Sequence, residues 1–401
     1  MTRKRATLII QTLFVLLIIG GAYSFAMFQG GMGSWTIFYF IVPFTLYALT
    51  IVLYPLKSIT VSRVIQHPLL GIGEATTVTI RVKRRNRFPL LYLSVQELEC
   101  DGFATITQGG TSKLFVMGFR KEVLFQYELQ GKQRGEHHFS PVQIEIADFL
   151  GWVKKRETIV TEGESSLIIF PETKSVQYVP IGSYHDKGTT RSPFSLIKET
   201  TVATSVRDYQ PGDRMSWIHW KSFARTQNLM TKEFENKRGE HVTLLLDARS
   251  SETIEEQIRF AASILKEAAA RKADLTFLTT DVGNAAIGTI SGEGQLRKAL
   301  TQLARLQPID ATEAKPPNYA VALQGAGAIV IISGNPDAIL LRAVLSASRA
   351  QPVFCFVVRK GAEPLSNLVE QNVRAAKALG VTVQLLTDKQ FERSFQEVAK
   401  G

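Results

Sequence analysis

The sequence predicts an α+β multidomain chain: an N-terminal transmembrane helical hairpin, an antiparallel β-sandwich domain and a C-terminal doubly wound α/β domain. Three observations predict it. No Lys, Arg, Asp or Glu occurs between Arg5 and Lys57. From Ile59 to about Val176, short runs of β-branched and aromatic residues are punctuated by Gly, Pro and Asn. From His241 onward, apolar runs of strand length alternate with amphipathic helical periods. The boundaries that follow are 1–56 for the hairpin, 57–176 for the sandwich, 177–240 for a linker with a dense polar motif, and 241–401 for the α/β domain.

The uncharged segment holds two apolar stretches, Ala6 to Phe28 and Ser34 to Tyr54, split by Gln29-Gly30-Gly31-Met32-Gly33. A helix rises ~1.5 Å per residue and the hydrocarbon core is about 30 Å thick, so each stretch is long enough to span it. Trp35 and Tyr39 sit near one edge of the second stretch, where amphipathic rings rest at the interface. A cleaved signal peptide is the competing reading, but the apolar run is too long and a second span follows at once. Arg3, Lys4 and Arg5 precede the first span, and Lys57 and Arg63 follow the second. Basic residues stay on the cytoplasmic side, so the expected location is the cell membrane, multi-pass, with the soluble domains cytoplasmic. Cys100 and Cys355 are far apart and Cys355 lies in the apolar run Val353 to Val357, so no disulfide framework is expected.

Beyond residue 56 the chain keeps 44 basic against 36 acidic residues, a net charge of +8. That suits a body lying near anionic lipid better than a nucleic-acid binder, and no nucleic-acid partner is expected. Strands are read at Val61 to Ile65, Thr76 to Val82, Leu91 to Leu98, Glu122 to Leu129, Gly135 to Phe139 and Ser165 to Phe170. The basic cluster Arg81, Lys83, Arg84, Arg85 and Arg87 reads as a solvated hairpin turn, with a lipid-contact patch as the alternative. Pro180 to Thr204 reads as a linker.

In the α/β part, strands are expected at His241 to Leu246, Leu275 to Thr279, Ala328 to Ile332, Pro352 to Val358 and Val381 to Leu386. Helices are expected at Thr253 to Lys272, Gln295 to Leu306, Pro336 to Ser348 and Glu363 to Leu379, with a last one from Lys389. Thr253 and Glu256 have capping-box spacing. The functional edge of such a sheet lies at the carboxyl ends of its strands, near Asp247, Thr279 to Asp281 and Ser333.

Between the β-rich part and the α/β part lies Val206-Arg207-Asp208-Tyr209-Gln210-Pro211-Gly212-Asp213-Arg214-Met215-Ser216-Trp217-Ile218-His219-Trp220-Lys221-Ser222-Phe223-Ala224-Arg225. Pro211-Gly212-Asp213 is a turn signal, and Ser216 to Arg225 suits a short helix. Trp217, Trp220 and Ala224 would share one face and Lys221 and Arg225 another. Arg207, Tyr209, Gly212, Asp213, Arg214, His219, Trp220, Lys221, Ala224 and Arg225 are the candidate partner-binding or signature residues. One reading is a joint of ion pairs and packed rings. The other is a docking face for an acidic partner element.

This stretch resembles the signature of a bacterial family known as domain of unknown function fifty-eight. So do Gln133-Arg134-Gly135, Ser140-Pro141, Asp148-Phe149-Leu150-Gly151-Trp152 and Phe170-Pro171, although Phe149 stands where a proline is usual. The resemblance implies membrane-anchored proteins with a β domain and a C-terminal domain similar to the von Willebrand factor type A fold. Such proteins are often encoded beside a MoxR-type AAA+ ATPase and a transglutaminase-like membrane protein. The membrane bilayer and those two proteins are therefore the expected partners. The type A fold often holds a divalent metal through Asp-x-Ser-x-Ser. Here Asp247-Ala248-Arg249-Ser250-Ser251 keeps Asp247 and Ser251 but brings Arg249, and Ser333-Gly334-Asn335 lacks the expected aspartate. The implied site is degenerate, no metal or other cofactor is expected, and Asp247 is expected to pair with Arg249 or Arg225.

No Gly-x-Ser-x-Gly elbow and no Cys/His nucleophile spacing occurs. Gly292-Glu293-Gly294 reads as a helix-entry turn, and His137-His138 alternate across a strand. The expected function is a membrane-anchored, non-enzymatic interaction or assembly protein at the cytoplasmic face, acting with the ATPase. The alternatives are a hydrolase-like enzyme using His219 and Asp213, and a divalent-metal-dependent protein-binding module.

Overall fold

The structure is a computed structural model describing residues 2–97, 103–105, 111–163, 166–178, 203–210, 218–234, 241–281, 287–290, 292–310, 323, 326–348, 351–361 and 365–395. It divides into one unit of residues 1–172 with 300–306, and another of 173–299 with 307–401.

The first unit begins with α1 (Thr2–Gln29) and α2 (Met32–Leu53). Within them, Ala6–Gln29 and Met32–Leu53 are long and apolar enough to cross a membrane, which is consistent with membrane anchoring. The break between them is only Gly30-Gly31, shorter than the five residues expected, and Gly30 takes φ 54° as the chain reverses.

A mainly antiparallel β structure follows. Its strands are β1 (Ile59–Ile65), β2 (Leu69–Gly71), β3 (Ala75–Arg84), β4 (Tyr92–Glu97), β5 (Phe103–Thr105), β6 (Ser112–Phe115), β7 (Glu122–Gly131), β8 (Gly135–His138), β9 (Val142–Ala147), β10 (Lys154–Ile159), β11 (Glu162–Gly163) and β12 (Ser166–Phe170). They form sheets ordered β11-β1-β3-β7-β5 and β10-β9-β4-β6, with a smaller sheet β2-β12-β8. Val61, Val78, Ile80, Val82 and Phe125 from the first sheet share one core with Leu93, Val95, Ile144 and Ile146 from the second. Period-2 alternation explains this: β3 buries every second residue. β11 joins β1 in parallel, and a Cβ at Gly163 (φ 103°) would lie 2.6 Å from the Arg63 carbonyl oxygen, so this approach requires glycine.

Two charges enter that core. Arg63 of β1 is ion-paired to Glu97 of β4, stacks 4.5 Å over the Phe139 ring and donates to the Ser140 carbonyl at 3.0 Å. Glu97 also accepts from the Tyr127 hydroxyl. Burial pushes the Glu97 carboxyl up to about 7, with the charge and hydrogen bond of Arg63 opposing it. The expectation that the basic cluster is a solvated turn fails at Arg84, which is buried. Its guanidinium donates to the carbonyls of Phe88, Gly118 and Arg120, while Arg85 and Arg87 are exposed.

The second unit contains β13 (Ala203–Asp208), α3 (Trp220–Thr226) and β14 (Met230–Phe234), then β15 (Val242–Leu246), α4 (Ile254–Ala270), β16 (Leu275–Thr279), α5 (Glu293–Arg305, whose last residues belong to the first unit), β17 (Ala328–Ser333), α6 (Ala338–Ala347), β18 (Val353–Arg359), α7 (Asn367–Ala378) and β19 (Thr382–Thr387). The strands β15 to β19 form one parallel sheet ordered β16-β15-β17-β18-β19. β15, β16 and β17 are buried at every position, as strands covered on both faces must be. Ile329, Ile331, Cys355 and Val357 pack against α6 and α7 through Leu341, Val344 and Ala376. On the other face Phe356 meets Phe260 of α4 edge-on, and Phe260 meets Phe391.

Two helix expectations are corrected. Thr253 precedes α4 without capping it, because its hydroxyl donates to the Val358 carbonyl at 3.0 Å; no capping box with Glu256 forms. The last helix is a 3-10 turn, Asp388–Arg393, closed by a Thr387–Gln390 capping box. The Pro180 to Thr204 linker lies outside the described residues but for the first two residues of β13.

Candidate functional site

The parallel order β16-β15-β17-β18-β19 places the reversal of strand order between β15 and β17. In open α/β sheets ligands bind beyond the carboxyl ends of the strands at such a point. Asp247 follows β15 there, and Ser333 ends β17 there. Both are buried, and the Ser333 hydroxyl donates to Asp247 Oδ2 at 2.8 Å. Arg249 then takes up the carboxylate in a fork: Nε donates to Oδ1 at 2.9 Å and Nη2 to Oδ2 at 2.7 Å. Its third nitrogen, Nη1, donates to Asp337 Oδ2 at 2.8 Å. Asp337 also caps α6, its other oxygen accepting from the Ile339 amide. The hydrogen bonds and charge of Asp247 raise the Arg249 pKa above its ordinary value, against the opposing effect of burial.

The neighbouring hydroxyls are engaged as well. Ser251 Oγ accepts from Gln257 Nε2 at 2.7 Å, and Ala248 N donates to Thr280 Oγ1 at 2.8 Å. A Cβ on Gly334 would stand 2.5 Å from Thr253 Oγ1 and 2.6 Å from Gln257 Nε2, so a side chain there would have to displace these groups. These donors do not fit a divalent cation. The guanidinium already fills the coordination directions of Asp247, and the oxygen set lacks the several free ligands such an ion needs. Asp247 pairs with Arg249, not with Arg225. Among the described residues, no group of three or more His, Cys, Asp or Glu side chains is placed to hold a metal. Asp337 escaped the sequence reading. A Pro-Asp step after the carboxyl end of β17 signals a helix cap there, but the pairing with a residue 88 positions away has no local signature.

The signature residues gather around a second, smaller assembly. β13 pairs antiparallel with β14, bringing Arg207 opposite Thr231, and the Tyr209 amide donates to the Leu229 carbonyl at 3.0 Å. Ile218 forms an antiparallel bridge to Thr231, and the His219 amide donates to the Met230 carbonyl at 2.8 Å. His219 is the N-cap of α3: its Nδ1 accepts from the Ser222 amide at 3.1 Å and lies 2.8 Å from the Ser222 hydroxyl. This makes the imidazole a brace for the helix start. Gly212, Asp213 and Arg214 lie outside the described residues, as does Trp217.

α3 has no buried residue. The rings of α3 are therefore not packed inward, which the joint reading of the motif would require. Trp220 is 59% exposed and Phe223 is 37% exposed, and the two rings meet edge-on with centroids 6.1 Å apart. Lys221, Ala224 and Arg225 are exposed too. At seven residues the helix is too short to turn a broad apolar stripe inward, and Gln227 (φ 57°) ends it in the left-handed conformation.

Residues 205–324 match the family described as "Protein of unknown function DUF58". The chain is 36% identical over 257 residues to the uncharacterized protein YeaD of Bacillus subtilis (strain 168), covering 64% of each chain. It thus spans less than two thirds of that relative's length. Solved structures with local similarity include the CARDB domain of the PF1109 protein from Pyrococcus furiosus (12% identity, 28% of this chain and 86% of that chain, TM-score 0.18). Another is the cupredoxin domain of amoB from Nitrosocaldus yellowstonii (16% identity, 27% of this chain and 90% of that chain, TM-score 0.18). The family match thus covers the segment that carries the signature motif, under a description that names no activity.

Proposed function

We propose that this chain is a membrane-anchored, non-enzymatic binding protein that docks an acidic element of a partner protein on α3. The observation that carries this reading is the exposure of Trp220 and Phe223 beside Lys221 and Arg225 on a helix with no buried residue. Trp, Phe and Arg are enriched in protein interfaces, and Lys221 adds positive charge beside them for an acidic partner. Exposed rings held in place by a capped helix and a strand pair also incur little ordering cost on binding.

The two apolar helices supply the anchor, and the charge asymmetry around them favours cytoplasmic soluble domains. A von Willebrand factor type A-like assignment for the C-terminal domain is supported by its parallel sheet and by Asp247 and Ser251 at the end of its first strand. On this reading the Arg249 guanidinium takes the metal's place, and recognition proceeds without a divalent ion. The resemblance points to a MoxR-type AAA+ ATPase as the partner, with a transglutaminase-like membrane protein in the same assembly. The hydrolase alternative would have to work through His219 Nε2, since Nδ1 is engaged in capping.

The test is affinity capture of the full-length protein from membranes after mild crosslinking, comparing wild type with Lys221→Glu. An exposed substitution costs within about 0.5 kcal/mol, so the variant should stay folded. It should also lose the ATPase at least tenfold, since a reversed charge within a complementary interface repels. An unfolded variant would make α3 an internal brace. A folded variant that still captures its partner would remove this surface from consideration.

A further inference from the structure

We infer that one end of the β domain is itself a lipid-contact surface, with Phe119, Phe149 and Leu150 entering the bilayer interface and Arg87, Lys121 and Lys154 meeting anionic headgroups. This rests on the membrane-anchored reading above and extends it from the helices to the folded domain.

The placement comes from contacts within the first unit. Phe149 lies against Phe44 of α2, ring centroids 5.7 Å apart, and Trp152 lies edge-on to Phe14 of α1 at 6.4 Å. Tyr47 of α2 stacks on Phe88 at 5.7 Å and donates to the Pro89 carbonyl at 3.0 Å. Lys155 Nζ donates to the carbonyls of Val52 (2.9 Å) and Tyr54 (2.7 Å) at the end of α2. Phe44 stands nine residues before Leu53, or roughly 13 Å along the axis at 1.5 Å per residue. The 22 residues of α2 span about 33 Å, close to the ~30 Å hydrocarbon core. If α2 crosses the bilayer, Phe149 therefore sits beside it below headgroup level.

The turn is built to hold its apolar residues outward. The buried Asp148 carboxylate accepts from the Leu150 amide at 3.3 Å and the Val153 amide at 2.8 Å, and Gly151 completes the reversal at φ 75°. Phe149 remains 65% exposed and Leu150 47%. Arg84 ties a second turn to the same end: its guanidinium bridges the Phe88 and Gly118 carbonyls, and Leu90 pairs with Gly118. The adjacent Phe119 is 72% exposed. Water-facing turns ordinarily carry polar residues. Large rings flanked by exposed lysine and arginine are instead the composition of interfacial membrane contacts. The basic cluster thus divides its work, with Arg84 as an internal strut and Arg87 facing lipid.

The test uses the full chain in vesicles of phosphatidylcholine and phosphatidylglycerol, in a Cys100→Ser background. An environment-sensitive fluorophore is attached at Phe149→Cys, at Leu16→Cys within α1, or at Lys132→Cys beyond the far end of β7. Leu150→Cys replaces the first if that variant fails to fold. Quenching by lipids carrying a nitroxide on the acyl chain should be several-fold stronger at 149 and at 16 than at 132. Quenching at 16 but not at 149 would overturn this surface and leave the anchor intact. Quenching at neither would overturn both. Quenching at 149 alone would keep the lipid contact and remove the spanning hairpin.

Discussion

Replacing Arg249 by methionine is expected to destabilise the α/β domain by about 3–5 kcal/mol, because it leaves the Asp247 carboxylate buried without its counter-charge. The Asp247 side chain is 4% exposed and that of Arg249 15%, so water cannot replace the fork of two hydrogen bonds. Asp337 loses a partner too, but at 33% side-chain exposure it is re-solvated. For a domain of this size the loss corresponds to roughly 10 °C in the midpoint of thermal unfolding. Calorimetry of the full chain in detergent should resolve it. The double variant Asp247→Asn with Arg249→Met should recover much of the loss, since a neutral amide can still accept from Ser333. A single variant as stable as wild type would mean that the pair does not close this site.

Arg63→Met is expected to be comparably costly, about 3–5 kcal/mol, in the β domain. Arg63 is fully buried on its side chain, and Glu97 is 2% exposed. The pair also sets a pH dependence with a definite sign. Burial raises the folded-state carboxyl from 4.5 to about 7, so between those values the folded chain holds a proton that the unfolded chain has released. The contribution of Glu97 is therefore present below about 4.5, is lost as pH rises toward 7, and is constant above. At ~1.4 kcal/mol per unit the change is about 3 kcal/mol. Glu97→Gln should abolish this slope, measured as unfolding midpoint against pH relative to wild type. A slope of the opposite sign would mean that Arg63 outweighs burial.

The inward placement of Arg63, Glu97 and Arg84 was legible in strand parity. Arg63 falls on the same face as Val61 and Ile65, and Glu97 on that of Leu93 and Val95; Arg84 follows Val78, Ile80 and Val82. A buried charge needs partners: Arg63 and Glu97 pair across the two sheets, and Arg84 finds backbone carbonyls. The α/β strands were legible because burial on both faces leaves unbroken apolar runs. β10, Lys154–Ile159, was not, since an edge strand with alternating half-exposure carries charges throughout. The α3 helix was anticipated but its facing was not. Helical spacing says which residues share a side, and only the β13–β14 pairing determines what that side meets. Pairings such as Arg249 with Asp337 depend on sheet order, which local pattern does not contain.

The central claim is that α3 docks a protein partner while the strand-end site stays closed by Arg249 and needs no metal. Capture of the full-length protein from crosslinked membranes, run in parallel with millimolar Mg²⁺ and with a chelator, tests both parts together. The account predicts that an AAA+ ATPase is retained equally in the two conditions and is lost from Lys221→Glu in each. Retention that requires Mg²⁺ and disappears in Asp247→Ala, or the absence of any specifically retained protein, would contradict it.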